Sequence, residues 1–134
     1  MNYLEPLMQL NDINKISILG LAHIGDCVYE LLTRTFLCSS EHFSAHDLHK
    51  TTVSYVNAPF QAKGAEKILP FLSEEELSVY KRGRNAKVNS VPQKSTVGEY
   101  HAATGLEALF GWLYLKGDKE RVNELFRLIV GATE

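Results

Sequence analysis

The run from Ile16 to Leu37, ISILGLAHIGDCVYELLTRTFL, constrains the fold more than any other part of the chain. Ile18, Leu19, Ala22, Ile24, Val28, Leu31, Leu32 and Phe36 cover nearly the full circumference of a helix, which predicts a central, buried element. Gly25, Asp26, Glu30 and Arg34 interrupt the run before it reaches membrane-spanning length, so no membrane association is expected. The anomaly is Asp26, an acid in the middle of an apolar helix. Such a carboxylate needs an arginine such as Arg34, a hydrogen-bond donor, or a cation beside it.

The remaining sequence divides at stop and start signals. Ser44 with Asp47 predicts an N-cap and an acidic first turn for SAHDLHKTTVSYVNA, and Pro59 suits the first turn of PFQAKGAEKILPFL. Ser73 with Glu76 and Thr96 with Glu99 are capping boxes, the second opening a helix that runs to a stop at Gly117. An amphipathic helix follows from Asp118 to about Val130. With no period-2 strand, repeat or low-complexity tract, the chain reads as all-α, one domain over residues 1–134. Cys27 and Cys38 fall in the long apolar helix outside any CxxC, and MNYLEPLMQL lacks a basic n-region and a cleavage site. They read as reduced core thiols of a cytoplasmic protein.

A second acid repeats the anomaly. Glu107 lies inside TGLEALFGWLYL, with Gly105, Ala108 and Gly111 nearby, as Gly25 and Ala22 accompany Asp26. Glycine inside a helix costs about 1 kcal/mol against alanine, so its repeated use points to two helix backbones in close approach with their acids side by side. Two carboxylates in one poorly solvated place require a proton or a cation, and Mg²⁺ is held by one or two carboxylates plus water and phosphate oxygens. Phosphate is suggested by the stretch KRGRNAKVNSVPQKS. Lys81, Arg82, Arg84, Lys87 and Lys94 occur with no acid between Glu76 and Glu99, in a chain of net charge −2. From about 82 to 96 this reads as a basic, flexible loop, either a phosphate clamp or a solvated helix end.

Three stretches, LAHIGDCVYELLTRTFL, KRGRNAK and YHAATGLEALFGWLYL, resemble in order those of Mini-ribonuclease III, the bacterial ribonuclease III catalytic domain without a double-stranded-RNA-binding domain. The resemblance implies that domain's compact fold of about six to seven helices. It makes Asp26 and Glu107 the catalytic, metal-binding acids, and places Lys81, Arg82, Arg84, Asn85 and Lys87 against RNA. Larger ribonuclease III enzymes carry further acids where this chain has Ala22 and Thr104. The implied activity is Mg²⁺-dependent hydrolysis of double-stranded RNA, with Mn²⁺ as a substitute, leaving 5′-phosphate and 3′-hydroxyl ends. A homodimer and a precursor of large-subunit (23S) ribosomal RNA as substrate are implied with it.

Two other readings compete. His46-Asp47, with His23, His49 and Asp118, invites an HD-type nucleotide phosphohydrolase, although an acid after Ser44 is expected for capping alone. A non-catalytic dimeric RNA- or ribosome-binding protein is the other, in which Asp26 and Glu107 only satisfy buried polar contacts. His101 and Tyr100 are candidates for the rim of the site. Trp112, Tyr114, Phe110, Tyr55, Phe60 and Phe71 read as core.

Overall fold

The structure, a computed structural model, describes residues 1–40, 44–87 and 95–131. Within them the chain runs as seven α-helices: α1 (Leu10–Ile13), α2 (Ile18–Ser40), α3 (Ala45–Val56), α4 (Ala58–Ile68), α5 (Glu74–Arg84), α6 (Val97–Lys116) and α7 (Lys119–Val130). No strand is present among the described residues. Capping chemistry sets the starts. The Ser44 hydroxyl accepts from the Asp47 N–H, Asn57 Oδ1 accepts from the Phe60 N–H at 2.9 Å, and both capping boxes close reciprocally. Gly117, at φ 83°, ends α6 in the left-handed conformation that glycine adopts without strain.

Two boundaries depart from the sequence reading. The helix expected to reach Leu72 stops at Ile68 and tightens into a 3-10 turn over Leu69–Phe71, because Pro70 has no N–H to continue the α ladder. That turn leaves Phe71 59% exposed rather than in the core. The single-turn α1 was not expected, being too short to show a period.

The larger revision concerns which helix is central. It is α6, buried on every side from Ala103 to Leu113 except at Glu107, whose side chain is partly exposed. The other helices pack around it, and Leu106, Leu109, Phe110 and Leu113 meet Leu21, Tyr29, Ile68, Leu125 and Ile129 in the core. Tyr29 anchors an aromatic cluster, its ring edge-on to Phe110 and Phe126 with centroids 5.8 Å away in each case. Trp112 and Phe110 are buried as expected. By contrast, α2 buries one face only. Leu19, His23, Cys27, Leu31, Arg34 and Cys38 recur at helical spacing as an exposed stripe, with Leu31 62% exposed. Cys27 and Cys38 are therefore surface thiols, not core thiols. Apolar residues all round a helix implied burial all round; the fold places α2 at the outside, where one side is left exposed among the described residues.

Candidate active site

The site begins with two glycines. An added Cβ at Gly25 would lie 1.6 Å from the backbone oxygen of Glu107, and one at Gly111 would lie 2.0 Å from that of Leu21. Only hydrogen fits at either position, so α2 and α6 cross with their backbones in contact. Asp26 is the next residue round from Gly25, and Glu107 is one turn before Gly111. The contact therefore brings both side chains to one place, with Asp26 within hydrogen-bond reach of the Glu107 carboxyl.

The two acids occupy different environments. Asp26 is exposed, contrary to the expectation that it is buried, because the residue after Gly25 turns out of the helix contact. Its neighbour Arg34 does not pair with it and instead bonds Glu30 at 2.9 Å. Glu107 is more enclosed. Burial first, then hydrogen bonding and repulsion from Asp26, push its pKa up to about 8, while the Gln61 amide acts in the opposite direction. A carboxyl that resists ionisation beside a second acid is a place where a cation restores balance. Among the described residues no group of three or more His, Cys, Asp and Glu side chains gathers. Two carboxylates, one of them exposed, suit a hard divalent ion better than a softer metal that needs a full protein cage.

Two residues of this neighbourhood were missed in the sequence. Tyr29, fully buried, donates its hydroxyl to the Tyr55 carbonyl at 3.0 Å, and burial followed by the nearby Glu107 raises its pKa. Gln61 on α4 is 2% exposed. Its signal was legible, since Gln61, Gly64, Ala65 and Ile68 share one row of α4 and the other three are small or apolar.

A third helix brings the basic residues. An added Cβ at Gly83 would meet Ala108 Cβ at 2.8 Å and Gly105 Cα at 2.9 Å, so the last turn of α5 rests on α6 at the level of Glu107. Gly105 serves this contact, and not the α2 crossing that its sequence neighbours suggested. Lys81, Arg82 and Arg84 belong to that turn, Asn85 caps it, and Lys87 follows, exposed. Lys81, Arg82 and Asn85 line a groove of about 600 Å³ with Ile18, Leu77 and Ser78. Arg84 lies over the Tyr80 ring at 5.9 Å and bonds Asn85 at 3.3 Å. Lys94 and residues 88–94 of the expected loop lie outside the described residues.

The competing histidines are not gathered. Asp47 is occupied by the Ser44 cap, and His46 and His49 are exposed at the start of α3. His101 is partly buried, with its Nδ1 lacking a hydrogen-bond partner.

Known proteins resemble this chain over most of its length. The Ribonuclease III domain model matches residues 19–118. The chain is 42% identical to the Mini-ribonuclease 3 of Thermoanaerobacter sp. (strain X514) over 136 aligned positions, covering 100% of this chain and 96% of that protein. It is 38% identical to the Mini-ribonuclease 3 of Clostridium tetani, covering 92% and 82%. A crystal structure of a Fusobacterium nucleatum protein superposes with a TM-score of 0.81 at 33% identity, covering 90% of this chain and 96% of that one.

Proposed function

The chain belongs to the ribonuclease III domain family and is an endoribonuclease; on that premise we propose that it hydrolyses phosphodiesters of double-stranded RNA with Mg²⁺, leaving 5′-phosphate and 3′-hydroxyl ends. Asp26 and Glu107 are its catalytic acids and hold the metal. The whole chain acts as one catalytic domain in the cytoplasm, and its substrate is precursor of large-subunit ribosomal RNA. The observation that carries this reading is the meeting of Asp26 and Glu107 where α2 and α6 touch at Gly25 and Gly111.

Asp26 and Glu107 would hold a divalent ion, which when bound would supply positive charge to the reacting phosphate and activate water at neutral pH. The chain does the rest. Glu107 would hold the ion in its carboxylate form, and the rigid helix crossing keeps its side chain facing Asp26. Lys81, Arg82, Arg84, Asn85 and Lys87, with Lys94 beyond the described residues, hold phosphates beside the acids. A-form RNA displays phosphates and 2′-hydroxyls across a wide, shallow minor groove, which a helical surface reads by shape. A twofold dimer places one such site on each strand, and the exposed stripe of α2 supports that assembly.

Cleavage of duplex and single-stranded RNA by wild type, Asp26→Asn and Glu107→Gln, with product ends mapped, tests the reading. Wild type cuts duplex in Mg²⁺ and not in EDTA, and each variant, still folded, loses about a hundredfold or more. Wild type that binds duplex yet never cuts it across a range of Mg²⁺ and Mn²⁺ concentrations would sink the proposal.

A further inference from the structure

Glutamine is seldom buried, and Gln61 is buried with its amide nitrogen making no hydrogen bond of standard geometry. Its backbone is firmly mounted. Asn57 caps α4, Pro59 stiffens the first turn, and the Gln61 N–H bonds the Asn57 carbonyl at 3.0 Å. The amide lies within hydrogen-bond reach of the Glu107 carboxyl.

Two other hydroxyl donors near Glu107 are committed. The Tyr29 hydroxyl bonds the Tyr55 carbonyl, and the Thr104 hydroxyl bonds the Tyr100 carbonyl at 3.0 Å. A metal-binding carboxylate needs a second hydrogen-bonded partner to fix its orientation, and Gln61 is a buried donor in reach of Glu107 that has no standard partner among the described residues.

We propose that Gln61 is a positioning residue, whose side-chain amide donates to the Glu107 carboxylate and holds it facing Asp26 in the orientation that receives the metal ion. This rests on the nuclease reading of Asp26 and Glu107. It gives the site an orienting bond from α4, a third helix that contributes no ligand of its own.

Gln61→Met keeps length and volume and removes the donor. Mn²⁺ binding, followed by electron paramagnetic resonance without RNA, is expected to weaken about tenfold in Gln61→Met. The kcat for duplex falls while KM for RNA stays, and thermal unfolding shows the variant as stable as wild type. A folded Gln61→Met with wild-type Mn²⁺ affinity and kcat overturns the inference and leaves the nuclease reading standing. Wild type that binds no Mn²⁺ removes both. In the unsubstituted protein, the Gln61 side-chain amide protons are expected to shift downfield in NMR spectra as Mg²⁺ is added, when the charged bond forms. Amide resonances unmoved at saturating Mg²⁺ overturn the inference without reference to any variant.

Discussion

At the scale of single residues, Glu107 has the most distinctive chemistry. Its pKa of about 8 in the metal-free protein lies above its ordinary value of 4.5. Below about pH 4.5 the group is protonated in both folded and unfolded chains, and the fold has its full stability. Between there and pH 8 the unfolded chain ionises while the folded one does not, so stability declines as pH rises, by up to about 1.4 kcal/mol per unit. Thermal unfolding of metal-free protein is expected to drop in midpoint from pH 5 to 8, and Glu107→Gln to flatten that slope. Metal binding runs the other way. Under the proposed role of Glu107 as a metal ligand, ion binding would displace its proton, so Mn²⁺ affinity is expected to rise by up to about tenfold per pH unit below pH 8, with proton release measurable by calorimetry. An affinity flat across that range would contradict Glu107 as a ligand.

Among elements, the crossing of α2 and α6 matters most, and its tolerance is set by backbone atoms that cannot move aside. Gly25→Ala places a methyl group 1.6 Å from the Glu107 carbonyl oxygen, so the helices must separate. Urea unfolding is expected to show a loss of about 3 kcal/mol or more, and cleavage to fall as the acids part. Gly98→Ala is the comparison, since its added Cβ meets nothing nearer than Thr96 Oγ1 at 4.0 Å. There the gain in helix propensity leaves stability unchanged or raised by about 0.5 kcal/mol. Equal losses at the two positions would show that propensity, and not helix packing, governs both glycines. The contrast also limits what sequence could tell: Gly25, Gly98, Gly105 and Gly111 are alike as letters, yet one is open, two serve the α2 crossing and one serves α5.

For the whole molecule, the exposed stripe of α2 and the basic end of α5 carry the predictions. Leu31, the more exposed of the two leucines on the α2 stripe, is where the proposed dimer would associate. Sedimentation velocity is expected to report a dimer for wild type and a monomer for Leu31→Glu, with duplex cleavage abolished alongside. A wild-type monomer at working concentration would remove the dimer. Reversing Arg82, Arg84 and Lys87 to glutamate is expected to weaken duplex binding and to reduce the salt slope by about 0.9 for each RNA phosphate no longer neutralised. Unchanged affinity would return these residues to the role of solvated cations at a helix C-terminus, where the dipole alone favours them.

Caps and stops are local, so the starts at Ser44, Ser73 and Thr96 and the stop at Gly117 could be read directly from neighbouring residues. So could the all-α class, and the pairing of Asp26 with Glu107 was legible because small residues flank both. Whether a helix is central depends on how many neighbours surround it, and no period within α2 records that. Tertiary packing put α6 in the middle, left Cys27, Leu31 and Asp26 facing outward, and brought Gln61 from α4 to Glu107, a residue far along the chain. Periodicity reports which faces of a helix are apolar; only the arrangement of the other helices decides which of those faces are covered.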